Sequence, residues 1–283
     1  MSSANALYIV ATPIGNLEDM TTRAIKVLQK ADIIAAEDTR HSARLMQHFG
    51  IDSPLVPYHD HGSDQQTTRL LQKLEQGANV ALISDAGTPL ISDPGYRLVK
   101  LAREQGYNVI PIPGACAMVA ALCAAGLPSD RFSFEGFLPA KSGPRSSRLA
   151  ELATVEHTLI FYESPHRIED SLKAMAEAFG GDRQAVLARE ITKTYETFLT
   201  ASFAELLAML AADANQLRGE MVVMVAGFHK PESAEETLPD EAQKIMAVLA
   251  EELPVKQAAA LAAKITGEKK NRLYQWAIER DKS

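Results

Sequence analysis

The stretch Ser84-Asp-Ala-Gly-Thr-Pro-Leu-Ile-Ser-Asp-Pro94 concentrates the residue types that hold a small polar ligand. Asp85, Thr88 and Asp93 are short groups suited to a ribose hydroxyl or an amine, Gly87 lets backbone come close to a ligand, and Pro89 and Pro94 stiffen the loop. The competing reading is a plain strand-to-helix connection whose Asp93 caps a helix starting near Pro94. Charged clusters recur after other apolar runs: Glu37-Asp-Thr-Arg40, Glu163-Ser-Pro-His-Arg167 and Arg189-Glu-Ile-Thr-Lys193. The first of these either touches substrate or is an Asp38 or Thr39 cap with Arg40 in an ion pair. His59 and His61 flank Asp60, which invites a metal, but nothing nearby completes a ligand set, so we read a substrate-facing loop and no metal site. Cys116 and Cys123 read as small buried apolar residues rather than a bridge.

The elements that must position these groups alternate between strands and helices. Apolar residues 7–11, 33–36, 80–83 and 108–112 read as strands of a parallel sheet, with helices over 63–76, 95–104 and 115–125 and another reaching Gly50. Ligands bind outside the carboxyl ends of such strands, so the turns at Pro13, Asp85 and Gly114 belong to one edge and can serve one ligand. Asp19 reads as the cap of a helix running to Lys30. Only Gly15 stands where a dinucleotide fingerprint wants three glycines, which argues against a nicotinamide or flavin.

Beyond Pro128 a second, mixed sheet is expected from strands over 132–137, 158–162, 185–188, 195–199 and 221–226, with a helix over 203–210. Ser164 reads as the cap of a helix whose first residue is Pro165. Lys141, Arg145 and Arg148 fall in a loop and the helix after it, as a mobile basic lid or as a solvated linker. The chain is thus read as α/β, with domains over residues 1–114 and 115–230 and a small helical module over 231–283.

Composition limits the setting. The 283 residues are 46% hydrophobic, enough for a full core, and no basic start followed by an apolar run, nor any bilayer-length stretch, is present, so we expect a cytoplasmic protein and no membrane partner. The net charge of −7 excludes a uniformly basic surface but not a local basic patch. Residues 231–253 carry seven acids against Lys244 alone, whereas residues 254–283 carry seven bases against three acids. That reversal marks a boundary near Lys230. Helices over 240–251, 255–265 and 268–278, with a break at Gly267, suit a helix-turn-helix in which Lys269, Lys270 and Arg272 begin the RNA-facing helix; a plain three-helix packing unit is the alternative.

Five segments in order, Tyr8-Ile-Val-Ala-Thr-Pro-Ile-Gly-Asn-Leu-Glu-Asp19, Ala36-Glu-Asp-Thr-Arg40, Ser84 to Gly95, Pro111-Ile-Pro-Gly114 and Phe161-Tyr-Glu-Ser-Pro-His-Arg167, resemble the rRNA methyltransferase branch of the tetrapyrrole methylase (class III) superfamily over nearly the whole chain. The resemblance implies two α/β domains with S-adenosyl-L-methionine in the cleft between them and a homodimer. It also implies methylation of the ribose 2′-hydroxyl of a cytidine in the decoding region of 16S rRNA, within the 30S subunit. Carried over by position, it implies a cofactor pocket at Pro13, Gly15, Asp85, Gly87, Thr88, Gly114, Ala115, Cys116 and Tyr162. The superfamily pattern has serine near position 116; a backbone contact survives the change to Cys116, and a hydroxyl contact does not.

A methyl transfer to a 2′-hydroxyl is a displacement in which the acceptor loses a proton, which requires a nearby carboxylate, histidine, or lysine of depressed pKa. The candidates at strand ends are Glu163, His166, Glu190 and Lys193, with Glu163, Glu190 and Lys193 preferred and Arg167 and Arg189 as anion clamps.

Overall fold

The computed structural model describes residues 5–59, 64–229 and 238–280, which form two compact units divided after Phe228. His61 lies outside the described residues. In the first unit, Ala6–Val10 (β1), Ile33–Ala36 (β2), Leu55–Pro57 (β3), Val80–Ile83 (β4) and Asn108–Ile112 (β5) form a parallel sheet of order β3-β2-β4-β1-β5. β4 is buried at every residue because helices cover both faces of the sheet. Thr22–Lys30 (α1) and Thr39–His48 (α2) set Ala24, Leu28 and Met46 against Ile34, Ala81 and Ile83. Asp64–Glu75 (α3) and Tyr96–Glu104 (α4) set Leu70, Leu74, Leu98 and Ala102 against Leu7, Ala35 and Leu82.

Around the parallel sheet, helix starts differ from the sequence expectation in two places and agree with it in a third. α1 is capped by Thr21, whose hydroxyl accepts from the Ala24 N–H at 3.1 Å, because Asp19 is taken up in a short 3-10 turn that Asn16 caps. Asp93 does not cap α4, which starts after Gly95 (φ +136°) without a side-chain cap. Asp38 does cap α2, accepting from the N–H groups of Arg40 and His41 and pairing with the Arg40 guanidinium at 3.1 Å.

Phe132–Phe137 (β6), Thr158–Glu163 (β7), Gln184–Arg189 (β8), Thr197–Ser202 (β9) and Met221–Val225 (β10) form a mixed sheet of order β6-β7-β10-β8-β9, in which only β6 and β7 are parallel. Ala117–Ala124 (α5) covers one face with Ala121 and Leu122 against Ile160, Val186 and Met224. Ser142–Leu152 (α6), Ile168–Phe179 (α7) and Phe203–Ala212 (α8) bury Leu149, Leu172 and Leu206 on the other. Arg145 and Arg148 lie within α6, and Arg148 is tied to Glu135 at 2.6 Å and Glu151 at 2.7 Å. α7 begins at Ile168 rather than Pro165, and the Ser164 backbone carbonyl, not its hydroxyl, receives the Arg167 and Ile168 N–H groups. β9 begins at Thr197 rather than at position 195, since Lys193 and Glu196 close successive turns first.

The second unit is Asp240–Glu252 (α9), Val255–Thr266 (α10) and Lys270–Arg280 (α11), packed through Met246, Ala258, Ala262 and Leu273. Gly267, at φ +76°, ends α10 in the left-handed region that glycine adopts freely. Lys269 and Lys270 are exposed, whereas Arg272 is paired with Glu268 at 2.8 Å. No described helix is long and apolar enough to cross a membrane.

Candidate active site

The carboxyl ends of β1, β4 and β5 deliver three turns that are stitched together. The Thr12 N–H donates to the Gly87 carbonyl at 2.8 Å, and the Gly87 N–H returns a bond to the Thr12 carbonyl at 3.1 Å. Gly87 sits at φ +82°, and a Cβ there would also stand 3.2 Å from Ile14 Cγ2. The Thr88 hydroxyl donates to the Ala115 carbonyl at 2.9 Å, fixing the β4 loop to the turn after β5. In that turn Gly114 packs so closely that a Cβ would lie 2.8 Å from the Ala11 methyl. On the far wall the Tyr162 hydroxyl accepts from the Met118 N–H at 3.1 Å and so caps α5, whose own cap residue, Cys116, makes no side-chain capping bond.

These turns enclose a cleft of about 320 Å³ lined by Asp85, Gly87, Thr88, Asp93, Cys116, Tyr162 and Glu163, with Ile14, Ile191 and Val222 as apolar walls. Pro13 and Gly15 line instead an adjoining cleft with Leu17, His41, Arg44, His48 and Lys193; Ile14, Asp85, Ala86 and Glu220 border both. Gly114 and Ala115 stand behind the wall and shape it. His166 is exposed and lines neither cleft.

The charges are arranged with purpose. Burial pushes the Asp93 carboxyl up to about 6; a Ser84 hydrogen bond opposes this, and repulsion from Glu37 and Asp85 adds to it. Burial likewise raises the Tyr162 hydroxyl above the ordinary phenol range, with Cys116 contributing. Asp85 is held in place by accepting the Asp38 N–H at 2.9 Å.

Glu163 is buried and satisfied by the Ser164 N–H at 2.8 Å, the Ser171 hydroxyl at 2.6 Å and Arg167 at 3.3 Å, so its carboxylate anchors the start of α7. Arg167 also donates to the Leu138 carbonyl, and Arg189 directs its donors to Thr197, Gln216 and the carbonyls of Tyr195 and Arg218. Both arginines expected as anion clamps are therefore engaged within the protein.

Lys193 bridges Glu190 at 2.9 Å and Glu220 at 2.8 Å. Burial pulls its pKa down, but the bonds to Glu220 and Glu190 outweigh it and the amine is held above its ordinary value, the opposite of what a lysine base requires. Burial pushes Glu190 up, yet Lys193 and the Glu220 N–H prevail and keep its carboxylate below the usual range. One Glu190 oxygen, Oε1, receives both donors; Oε2 takes no hydrogen bond among the described residues.

Sequence reasoning missed the backbone around these groups. Leu90, Ser92, Glu190 and Thr192 are the non-glycine residues with positive φ among those described, and all lie in the loops after β4 and β8. It also missed Ile191, Val222 and Glu220, which no local motif marks. Gly219 offers one retrospective signal: its missing side chain is the space into which the Glu190 carboxylate folds.

The model of the Tetrapyrrole (Corrin/Porphyrin) Methylases matches residues 6–207, and that of the RsmI C-terminal HTH domain matches residues 236–281. A protein of Pseudomonas aeruginosa named ribosomal RNA small subunit methyltransferase I is 56% identical over 98% of both chains. Among solved structures, the cobalamin biosynthetic enzyme cobalt precorrin-4 methyltransferase aligns at a TM-score of 0.60 with 18% identity, over 78% of this chain and 94% of that one. The uroporphyrin-III C-methyltransferase of Thermus thermophilus, complexed with S-adenosylhomocysteine, aligns at 0.54 with 18% identity, over 78% and 97%.

Proposed function

The chain belongs to the tetrapyrrole methylases, and within them to the ribosomal RNA small subunit methyltransferase I family, and from that premise we propose that it methylates 16S rRNA with S-adenosylmethionine. The acceptor we propose is the ribose 2′-hydroxyl of cytidine 1402 in the decoding region, within the 30S subunit. The observation that carries this reading is the cleft at the carboxyl edge of the parallel sheet, built by turns that are already bonded to one another.

The cleft's residues fit the cofactor. Gly87 leaves room where a side chain would intrude, Asp85 and Thr88 present short polar groups, and Ile14, Ile191 and Val222 offer apolar surface to a nucleoside. Bound there, S-adenosylmethionine supplies an electrophilic methyl group. Cys116 meets it through backbone in this reading, since its side chain replaces a serine. The apolar walls and Tyr162 exclude water and fix the line of approach, from which most of the acceleration derives.

For proton removal we assign Glu190, which lines neither cleft itself but adjoins the wall residues Ile191 and Glu220, stays ionised and, among the described residues, keeps Oε2 unbonded. Lys193, held as a cation between two carboxylates, acts on negative charge rather than as a base. Glu163 acts as a positioning residue through α7 and Arg167.

We further read residues 1–114 and 115–230 as the two α/β domains and residues 231–283 as an RNA-contacting module, because Lys269 and Lys270 are exposed beside the α10–α11 turn. Charge reversal of both lysines in the full chain is expected to weaken 30S binding; unchanged binding would remove that role. A homodimer and a cytoplasmic setting complete the reading, and sedimentation and cell fractionation check them.

The decisive experiment is transfer of label from tritiated S-adenosylmethionine to 30S subunits lacking native modifications, with nuclease digestion and mass mapping. Label on one ribose of the decoding region is the expected result. Donor binding without label on subunits or on free 16S rRNA would overturn the RNA reading.

A further inference from the structure

The α2 side of the adjoining cleft is left without a role by the chemistry above. His41, Arg44 and His48 are spaced three and four residues apart along α2, so they share one face, and all three are exposed. They line the cleft together with Leu17, an exposed apolar side chain, and Lys193. Arg40, one turn earlier, is neutralised by Asp38, but among the described residues Arg44 has no carboxylate partner. Ile14, Asp85 and Ala86 border both clefts, so a ligand can pass from one to the other without leaving the protein surface.

A cation left unpaired beside a reaction cleft fits an anion that arrives with the substrate. In RNA that anion is unavoidable: every internal ribose whose 2′-hydroxyl is offered for methylation carries phosphodiesters at its 3′ and 5′ oxygens. We propose that the face formed by His41, Arg44 and His48 binds the phosphodiester backbone beside the acceptor ribose, with Leu17 against the neighbouring sugar or base. This rests on the reading of the chain as an rRNA ribose methyltransferase and adds where on the chain the acceptor strand lies. Another basic face, Arg23, Lys26 and Lys30 on α1, borders a separate cleft that shares no residue with the reaction site, and it serves as the internal control.

The test uses the full chain and its Arg44→Glu, Arg44→Gln and Arg23→Glu variants. Methyl transfer to unmodified 30S subunits is followed at graded salt, and affinity for S-adenosylmethionine is measured by calorimetry. Arg44→Glu is expected to raise the apparent KM for subunits by about tenfold or more, as loss of a charge-assisted phosphate contact does, with Arg44→Gln intermediate. The salt dependence should lose about one counterion. Donor affinity and the Arg23→Glu variant should match the wild type. An Arg44→Glu variant that behaves as wild type overturns the site, as does an equal loss in Arg23→Glu, which would make the effect one of overall charge. Donor affinity lost alongside would move the effect into the donor cleft and overturn it too. A wild type that transfers no methyl to subunits overturns the functional reading itself, an outcome distinct from an active wild type with an indifferent Arg44.

Discussion

Gly15, from the turn after β1, lies directly against the stem of Lys193, from the loop after β8: a Cβ on Gly15 would stand 2.5 Å from Lys193 Cγ and 3.0 Å from Thr192 Oγ1. The first sheet thus sets the position of a second-sheet cation through the absence of one carbon. Gly15→Ala should displace Lys193 from Glu190 and Glu220, costing about 1–3 kcal/mol of stability by overpacking. It should slow methyl transfer by about 100-fold, the usual penalty for misplacing a reacting centre by an ångström. Single-turnover rates and urea melts measure both, and an alanine variant with wild-type rate would show that Lys193 has slack.

The Tyr162 hydroxyl substitutes for a side-chain cap at the start of α5. Tyr162→Phe leaves the Met118 N–H without its acceptor, which is expected to cost about 1–2 kcal/mol. Because α5 carries Cys116 and Ala117 into the cleft wall, donor affinity should fall a few-fold as well. Calorimetric titration and a urea melt of the same sample check the two effects, and a fall in neither would remove the capping role.

Asp93 gives the pH dependence. Its folded pKa is pushed up to about 6, first by burial, against an unfolded value of about 3.9. The folded chain therefore holds this proton more tightly, so the associated stability is complete below about pH 4 and is lost as the pH rises through about 6. Asp93→Asn should gain about 1 kcal/mol near pH 7, a figure reduced for the partial exposure of the group, and should flatten stability over that window. A cationic sulfonium donor favours the ionised carboxylate, so wild-type affinity should rise by up to about tenfold from pH 5 to 7 and the variant's should not. Affinity that falls with pH would contradict the placement of Asp93 beside the donor.

Glu163 and Glu190 should separate on substitution. Glu163→Ala leaves Arg167 and Ser171 without their buried partner and should cost about 3–5 kcal/mol, whereas the turnover of folded Glu163→Gln should fall less than about tenfold. Glu190→Gln should lose about 100-fold or more in turnover with little change in melting. Thermal melts paired with turnover per folded molecule decide the matter; the reverse ranking would exchange the two roles.

How far the sequence reaches is visible in these same residues. β1, β4, β7 and β10 are apolar runs whose ends fall within a residue or so of their expected places, because a strand buried on both faces admits no polar residue inside it. The turns were legible as motifs because Gly87 and Gly114 meet steric demands that only glycine satisfies. What stayed hidden depends on partners far along the chain. Lys193 looked like a base until Glu220, 27 residues on, was brought to it. Glu163 looked like a free carboxylate until Ser171 arrived on the first turns of α7. Asp19 made a plausible cap, and lost to Thr21 only because a 3-10 turn intervenes.

The reciprocal bonds between Thr12 and Gly87 have a kinetic consequence. Joined in this way, the loops after β1 and β4 cannot part without breaking two backbone bonds together, so they belong to a single opening unit with the strands that carry them. In the proposed reading the donor meets a standing receptacle, whose ordering entropy was settled when the sheet formed. Its capture is then expected to be limited by encounter and orientation, which leaves any slow step before chemistry to the alignment of the much larger RNA partner.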